Sequence, residues 1–466
     1  MRIAIVASTR RGAVAAGLSV ASLMTACAPA AVHSKTSSHG RVWSGPVTLA
    51  RCSLAQAPQV VFPLSTPFRR TGPGAIVFSA GASCPAGAGP RIAAIAQDDV
   101  PAQAHPAKTA AGRPVALTRT SGVAATAHGQ ILILGTAGTS GSLPKALFSE
   151  GPAGGPFTPA KPLGGPSEPL GLATAYLGDV AIAAPAGARG GGVRVRIQHY
   201  YASRSATPTT LRGPSGAQRA LTVALDYRTD ALAVWWQHGR LYARERRANG
   251  TIAPLQRFAT AGRDIEIAAL ISDDGRGIVA WMDRHPHSAR LYLDISGPDM
   301  RFGRPRLLER LRFPHEGPPP DGSLRLVRLS TESVLAAWTG TREGRYVVRA
   351  ARIGLNGPRT TSTISTPDGD AVLLALATGP RGDAVALWTQ APSASAGRKS
   401  ALQRIMAARG VPSSRGAIRF GAPELLTPPG RYTGASVAID PDSDRAVASW
   451  REQSGAIRYA LRAAPR

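Results

Sequence analysis

Four charged residues stand out because they interrupt short apolar runs. Asp226 follows Leu221–Leu225, Glu266 lies within Ile265–Ile271, and Arg325 and Arg328 alternate with apolar residues in Leu324–Leu329. Two carboxylates can serve as acid and base on a glycosidic bond, and guanidiniums can hold a carboxylate or phosphate through paired hydrogen bonds. A polar lining around water accounts for the same residues without function. A second group comprises His238, His285, His287 and His315, the last followed by Glu316. Imidazoles with a carboxylate can bind a metal or an anionic ligand. Their spacing fits no closed zinc pattern, and Pro286 and Pro314 break the local chain. Solvated loop histidines are the simpler reading, so no metal and no cofactor are expected.

Other catalytic signatures are missing. The chain has no phosphate-binding glycine loop opening a helix, no H-E-x-x-H, and no G-x-S-x-G with plausible partners. Gly187–Gly192 (GARGGG) precedes a strand-like segment and reads as a hairpin loop. Asp230, Asp273, Asp274, Asp383 and Asp442 fall where turns are expected, and turn chemistry explains them.

The elements that must position these residues are short strands. Near the C-terminus, Ala435–Asp440, Arg445–Trp450 and Ala456–Arg462 are apolar runs separated by turn residues, a three-stranded meander. The unit recurs, marked by tryptophan: ALAVWW ending at Trp236, GIVAW at Trp281, VLAAW at Trp338, AVALW at Trp388 and AVASW at Trp450. The intervals are 45, 57, 50 and 62 residues, as expected for four-stranded propeller blades with variable loops. An apolar strand precedes each tryptophan strand, and a third strand, often opening with Arg, follows it. So short a sheet cannot bury both faces alone; stacking similar sheets around an axis supplies a neighbour on each side.

Three further blades are expected upstream without the tryptophan. The first takes Gln59–Leu64, Ala75–Ser79, Arg91–Ala96 and Pro114–Thr118. The second takes Val123–Ala127, Gln130–Gly135, Lys145–Ser149 and Phe157–Leu163. The third takes Leu172–Tyr176, Asp179–Ala184, Val193–His199 and Thr209–Leu211. Trp43–Leu49 resembles Phe302–Leu307 and Phe420–Leu425, which follow third strands and so read as outer, fourth strands. The expected fold is therefore an all-β propeller of about eight blades, or seven if an early segment is an insertion, closed by pairing the N-terminal strand with the three C-terminal ones. The tryptophans should pack between blades. The four charged residues fall on innermost strands, around the channel, and the histidines on loops of one face. The pattern resembles bacterial secreted β-propellers with a G-x-A-V-x-x-W type repeat over residues 42–466, a resemblance that implies architecture alone.

The N-terminus bears on location. Arg2, Arg10 and Arg11 precede an apolar stretch, Gly12–Met24, too short for a permanent membrane helix. Leu23-Met24-Thr25-Ala26-Cys27 resembles a bacterial lipobox, which implies a signal peptide over 1–27 and acyl chains such as palmitate on Cys27; ordinary cleavage and secretion is the alternative. Residues 28–40 read as a flexible tether and 41–466 as one domain. Cys52 and Cys84 then form an even pair in an exported chain, which predicts one disulfide, with two buried thiols as the alternative.

The formal charge is +27, and fifty of the 55 basic residues are arginine. A basic surface can meet phospholipid head groups, wall polymer or nucleic acid; a GC-rich genome, which favours Arg codons along with Ala, Gly and Pro, accounts for the same charge without a partner. The arginines are spread out, without the dense blocks of a nucleic-acid footprint, so no nucleic acid is expected. The combined reading is a monomeric, lipid-anchored protein on the extracytoplasmic face of the cell membrane that binds a protein or glycan partner without catalysis. A propeller-type glycoside hydrolase or lyase and an envelope assembly scaffold are the alternatives.

Overall fold

A computed structural model describes residues 43–463, except 55, 66–68, 71, 83, 85–86, 97–99, 127, 139–143, 164–169, 176–177, 188–190, 200–207, 261, 263, 314–322, 331–332, 355–356, 393–401 and 414–416. The expected signal peptide, tether and Cys27 lie outside the described residues, as do His315 and Glu316. Among the described residues there is no helix, and eight antiparallel sheets of four layers stand in a ring: a β-propeller.

Blade 1 runs Gln59–Val61, Gly74–Ala80, Gly89–Ile95, His105–Pro106; blade 2 runs Arg119–Ala125, Gln130–Ala137, Lys145–Pro152, Lys161–Pro162. Blade 3 runs Gly171–Thr174, Val180–Pro185, Val193–Gln198, Thr209–Leu211; blade 4 runs Ala220–Leu225, Ala231–Gln237, Arg240–Arg246, Gln256–Phe258. Blade 5 runs Asp264–Ile271, Gly277–His285, Ser288–Ile295, Arg306–Arg312; blade 6 runs Leu324–Ser330, Ser333–Arg342, Arg345–Gly354, Gly357–Thr363. In blade 7, Asp370–Thr378, Ala384–Ala391 and Arg404–Pro412 are followed by a split outer layer, Ile418–Phe420 and Glu424–Leu425, both paired to Arg404–Pro412. The eighth sheet holds Tyr432–Ile439, Ala446–Glu452 and Ile457–Arg462, with Val47–Ala50 as its outer strand. There Val47 lies opposite Tyr459 and Thr48 opposite Arg458, and the Ser44 N–H donates to Leu461 O at 2.7 Å.

The outer strands are where sequence expectation and structure part. Blade 1 ends on His105–Pro106 rather than Pro114–Thr118; Pro114 makes one bridge, to Lys108. In blade 5, Phe302 makes one bridge to Ser296 and the outer strand proper begins at Arg306. Outer strands are short and half-solvated, so they carry little apolar periodicity.

The second strand of each blade is sandwiched between neighbouring blades, so both of its faces are apolar: Ala231–Gln237 and Ala384–Ala391 are buried at every position. Trp281, Trp338, Trp388 and Trp450 are almost wholly buried, and each packs against apolar residues of the preceding blade. In blade 4 the equivalent residue is Trp235, not the Trp236 from which the repeat was counted. Trp235 packs on blade 3 beside Val195 and Ile197, and Trp236 faces the other way, toward Trp281 of blade 5. Trp235 stacks on its cross-strand partner Tyr242 (centroids 5.8 Å apart), and Trp281 on Tyr292 (5.3 Å). The five gaps from blade 3 to the eighth sheet are thus filled by large rings, whose burial dominates packing energetics.

Cys52 and Cys84 are joined by a disulfide across 32 residues of sequence, tying the segment after Val47–Ala50 to the turn after the second strand of blade 1.

Candidate functional site: the central channel

The innermost strands run the same way around the axis. Their first residues meet at one end of the channel and their last residues at the other. The first end is a polar chamber of about 560 Å³, lined by Gln56, Gln59, Arg119, Thr120, Ser121, Ser436 and Arg325 among smaller apolar residues. The second is a chamber of about 760 Å³ lined mainly by Leu, Ile, Val and Ala, with Arg325, Arg328 and Asp273 as its charged members. Arg325 lines both and so marks their junction.

Of the four charged residues singled out in sequence, the two arginines line the channel and the two carboxylates are engaged elsewhere. Arg325 donates to its own strand at Leu324 O (2.9 Å) and across to blade 7 at Leu374 O (3.2 Å), which holds the guanidinium over the blade gap. Arg328 pairs with Asp273 of blade 5 at 2.5 Å and donates to Ile271 O at 3.2 Å. Burial pushes the Asp273 carboxyl up despite the opposing pull of Arg328.

Glu266 is a structural bridge between blades 5 and 6. Its oxygens accept from Arg284 Nη2 (2.6 Å), Ser323 Oγ (3.0 Å) and the Leu324 N–H (2.8 Å), with Arg325 Nη1 at 3.8 Å. Arg284, almost fully buried at the end of the second strand, also reaches Asp264 at 3.4 Å. Burial raises the Glu266 carboxyl above the ordinary range, and Arg284 opposes that rise.

Asp226 sits one residue past its strand, fully buried in the turn. Its Oδ1 accepts the N–H groups of Arg228 (2.9 Å) and Asp230 (2.8 Å). This is turn chemistry of the kind first assigned to Asp230. Asp226 belongs to the far end of the strand layer and Glu266 to the near end, about six residues apart in register, or about 20 Å along the axis. An acid–base pair for glycoside cleavage stands within roughly 10 Å, so these two carboxylates do not form one.

His238 occupies the tight turn between Ala231–Gln237 and Arg240–Arg246. It and Gly239 both have positive φ, 51° and 71°, the pattern of a two-residue hairpin turn. His285 and His287 flank Pro286 in the equivalent turn of blade 5, half-buried and exposed respectively. Among the described residues no three His, Cys, Asp or Glu side chains are arranged to hold a metal.

Sequence reading missed a carboxylate cluster beneath blade 4. Glu245 is almost fully buried and neither of its oxygens has a hydrogen-bond partner; Asp230 and Asp226 are its acidic neighbours and Arg247 its basic one. Burial, with help from Asp230, pushes Glu245 up to about 7. Burial likewise pushes Asp226 up to about 6, against the two N–H groups it accepts. In the alternating Arg240–Arg246 strand Glu245 shares a face with the buried Leu241 and Ala243, a parity that the sequence reading did not use.

No protein-family model matches the chain, and no curated protein matches it. Solved structures do. BBS1N, crystallised in complex with ARL6DN, is 12% identical and matches over 91% of this chain and 98% of its own, with a TM-score of 0.40. An α-L-arabinanase of Penicillium chrysogenum complexed with arabinobiose is 9% identical over 53% of this chain and 93% of its own, with a TM-score of 0.33. The NanB sialidase of Streptococcus pneumoniae is 10% identical over 73% of this chain and 67% of its own, with a TM-score of 0.35. At such scores none of them carries an argument about what this chain does.

Proposed function

We propose that this protein is a non-catalytic binding propeller, exported and held by acyl chains on Cys27 at the extracytoplasmic face of the cell membrane. Its partner is an acidic envelope glycan or an acidic protein surface. The observation that carries this reading is the outer edge of blade 5. Arg290, Arg304, Arg310 and Arg312 are exposed there, and none of them makes an ion pair among the described residues. Arg290 lies directly opposite Arg310 in the strand register. Like charges so placed repel, and an anionic partner relieves that repulsion. The one acid of the strand, Glu309, does not neutralise the edge; it turns inward to Arg349 (2.8 Å) and the Trp338 indole N–H (2.5 Å). The Cys52–Cys84 disulfide supports an oxidising compartment, and the lipobox-like LMTAC supports the anchor.

Two experiments test the reading. Fractionation of cells should place the protein in the membrane, and Cys27→Ser should release it; membrane retention of the variant would contradict the anchor. Immobilised protein should retain acidic polymer from an envelope extract, and a variant carrying Arg290→Glu, Arg310→Glu and Arg312→Glu should not. Equal retention by the variant would overturn the assignment of the surface.

A further inference from the structure

We infer that the central channel is a binding site for a small amphipathic anion, with a carboxylate or phosphate head in the polar chamber beside Arg325 and an apolar body in the adjoining chamber. This goes beyond the surface reading above, since it concerns a different site and a different class of ligand.

The polar chamber is built from donors. Ser436 Oγ accepts the Val60 N–H at 2.7 Å, so its own O–H is left for the chamber. Gln59 Oε1 accepts the Val123 N–H at 2.8 Å, which fixes the amide and leaves its NH₂ over. Gln56 Oε1 accepts from Ser79 Oγ at 3.0 Å, and that hydroxyl in turn takes the Thr120 N–H at 2.9 Å, so again an NH₂ remains. At Ser436 and Gln59 a strand N–H occupies the acceptor, and at Gln56 the Ser79 hydroxyl does; in each case the donor is left. Arg325 contributes a guanidinium held by two carbonyls, which occupy two of its five N–H groups. Arg119 adds a second positive charge, and among the described residues the chamber wall contains no carboxylate. Glu266 stands 3.8 Å from Arg325 Nη1 and offsets part of its charge, but its oxygens are engaged more closely by Arg284, Ser323 and the Leu324 N–H. A convergent set of donors and cations, with no wall carboxylate among the described residues, favours an anion over a neutral or cationic group.

The second chamber asks for the opposite chemistry. Leu172, Val223, Ile267, Leu270, Leu326 and Ile439 converge there, and its charged pair, Arg328 with Asp273, is internally neutralised at 2.5 Å. Its volume of about 760 Å³ lies within the range of pockets that enclose small ligands. Since Arg325 lines both chambers, a ligand with a charged head and an apolar chain spans them with its head at the guanidinium.

The test uses the exported protein carrying Cys27→Ser, purified without detergent so that its own acyl chains do not compete. Dodecanoate and dodecyl phosphate, each below its micelle concentration, are titrated by calorimetry. The head groups alone (acetate, inorganic phosphate) and dodecyltrimethylammonium serve as comparisons. The expected result is one-to-one binding of at least one of the two anionic amphiphiles, with the heads alone and the cation binding more weakly. Preference for dodecanoate would assign a free fatty acid as the source, and preference for dodecyl phosphate a phospholipid or related phosphate. Arg325→Gln removes charge-assisted hydrogen bonds, so affinity for the anion should fall about tenfold or more. Arg119→Gln, at an exposed position, repeats the test at the second cation of the wall and should also weaken binding. Binding of neither amphiphile, equal binding of the cation, or equal binding of the heads alone would each overturn the inference. The blade 5 reversals should leave this affinity unchanged, so loss of one site is distinguishable from loss of the other.

Discussion

Replacing Glu245 by glutamine should stabilise the protein, and only above acidic pH. The side chain is almost fully buried, with both oxygens unpartnered and two acids among its electrostatic neighbours. Its carboxyl moves from an ordinary 4.5 in the unfolded chain to about 7 in the folded one. Between those values the folded protein holds a proton that the unfolded chain has released, so stability falls as pH rises. The penalty is absent well below 4.5 and complete above 7. At about 1.4 kcal/mol for each unit, it amounts to roughly 3 kcal/mol at pH 8 and less than about 0.5 kcal/mol at pH 4.5. For a ring of some 420 residues, with an unfolding entropy of about 2 cal/mol/K per residue, 3 kcal/mol corresponds to about 3–4 °C in Tm. Thermal unfolding of wild type and Glu245→Gln, followed by tryptophan fluorescence, should therefore show the variant about 3–4 °C higher at pH 8 and level at pH 4.5. A gain of equal size at both pH values, or none at pH 8, would refute the placement of a buried, unpaired carboxyl under blade 4.

Further outcomes follow from other contacts. Arg284→Ala should cost about 3–5 kcal/mol by urea denaturation, because it strands Glu266 between blades. Arg284→Met combined with Glu266→Met should recover most of that loss. Trp388→Ala should cost about 3–5 kcal/mol, since the ring is wholly buried against blade 6; a cost under about 1 kcal/mol would mean that the gap is not filled as described. Removing the disulfide with Cys52→Ala and Cys84→Ala should lower stability by about 2–4 kcal/mol, the scale of closing a loop of this length, as read from urea midpoints.

The repeat was legible because second strands are buried on both faces, so their runs of small apolar residues ending in tryptophan are forced by the stacking of blades. The same double burial hid which ring of the Trp235–Trp236 pair matched the others: both are buried, and direction is settled only by the neighbouring blade. His105–Pro106 was missed because a two-residue outer strand has no period to detect. The channel was read in part. Arg325 and Arg328 stood out as charges in apolar strands, and they do line it. Glu266 looked the same in sequence, yet its partners Arg284 and Ser323 lie 18 and 57 residues away and depend on the packing of two blades. Asp226 belongs to its turn, a difference of one residue that strand boundaries alone do not resolve. The donor set of Gln56, Gln59 and Ser436 was invisible, because it is defined by the groups that occupy the acceptors: backbone N–H groups on adjacent blades for Gln59 and Ser436, and the Ser79 hydroxyl for Gln56.

The central claim is binding of an acidic partner at the blade 5 edge without turnover. The most direct measurement titrates polygalacturonate and polyglutamate, as acidic glycan and acidic peptide, against the protein and its Arg290→Glu, Arg310→Glu, Arg312→Glu variant over a range of salt. Polymer length is checked by chromatography afterwards. The account predicts wild-type binding to one polymer that weakens steeply with salt, a loss of about tenfold or more in the variant, and polymer of unchanged length. Shortened glycan, or binding indifferent to both salt and charge reversal, would contradict it.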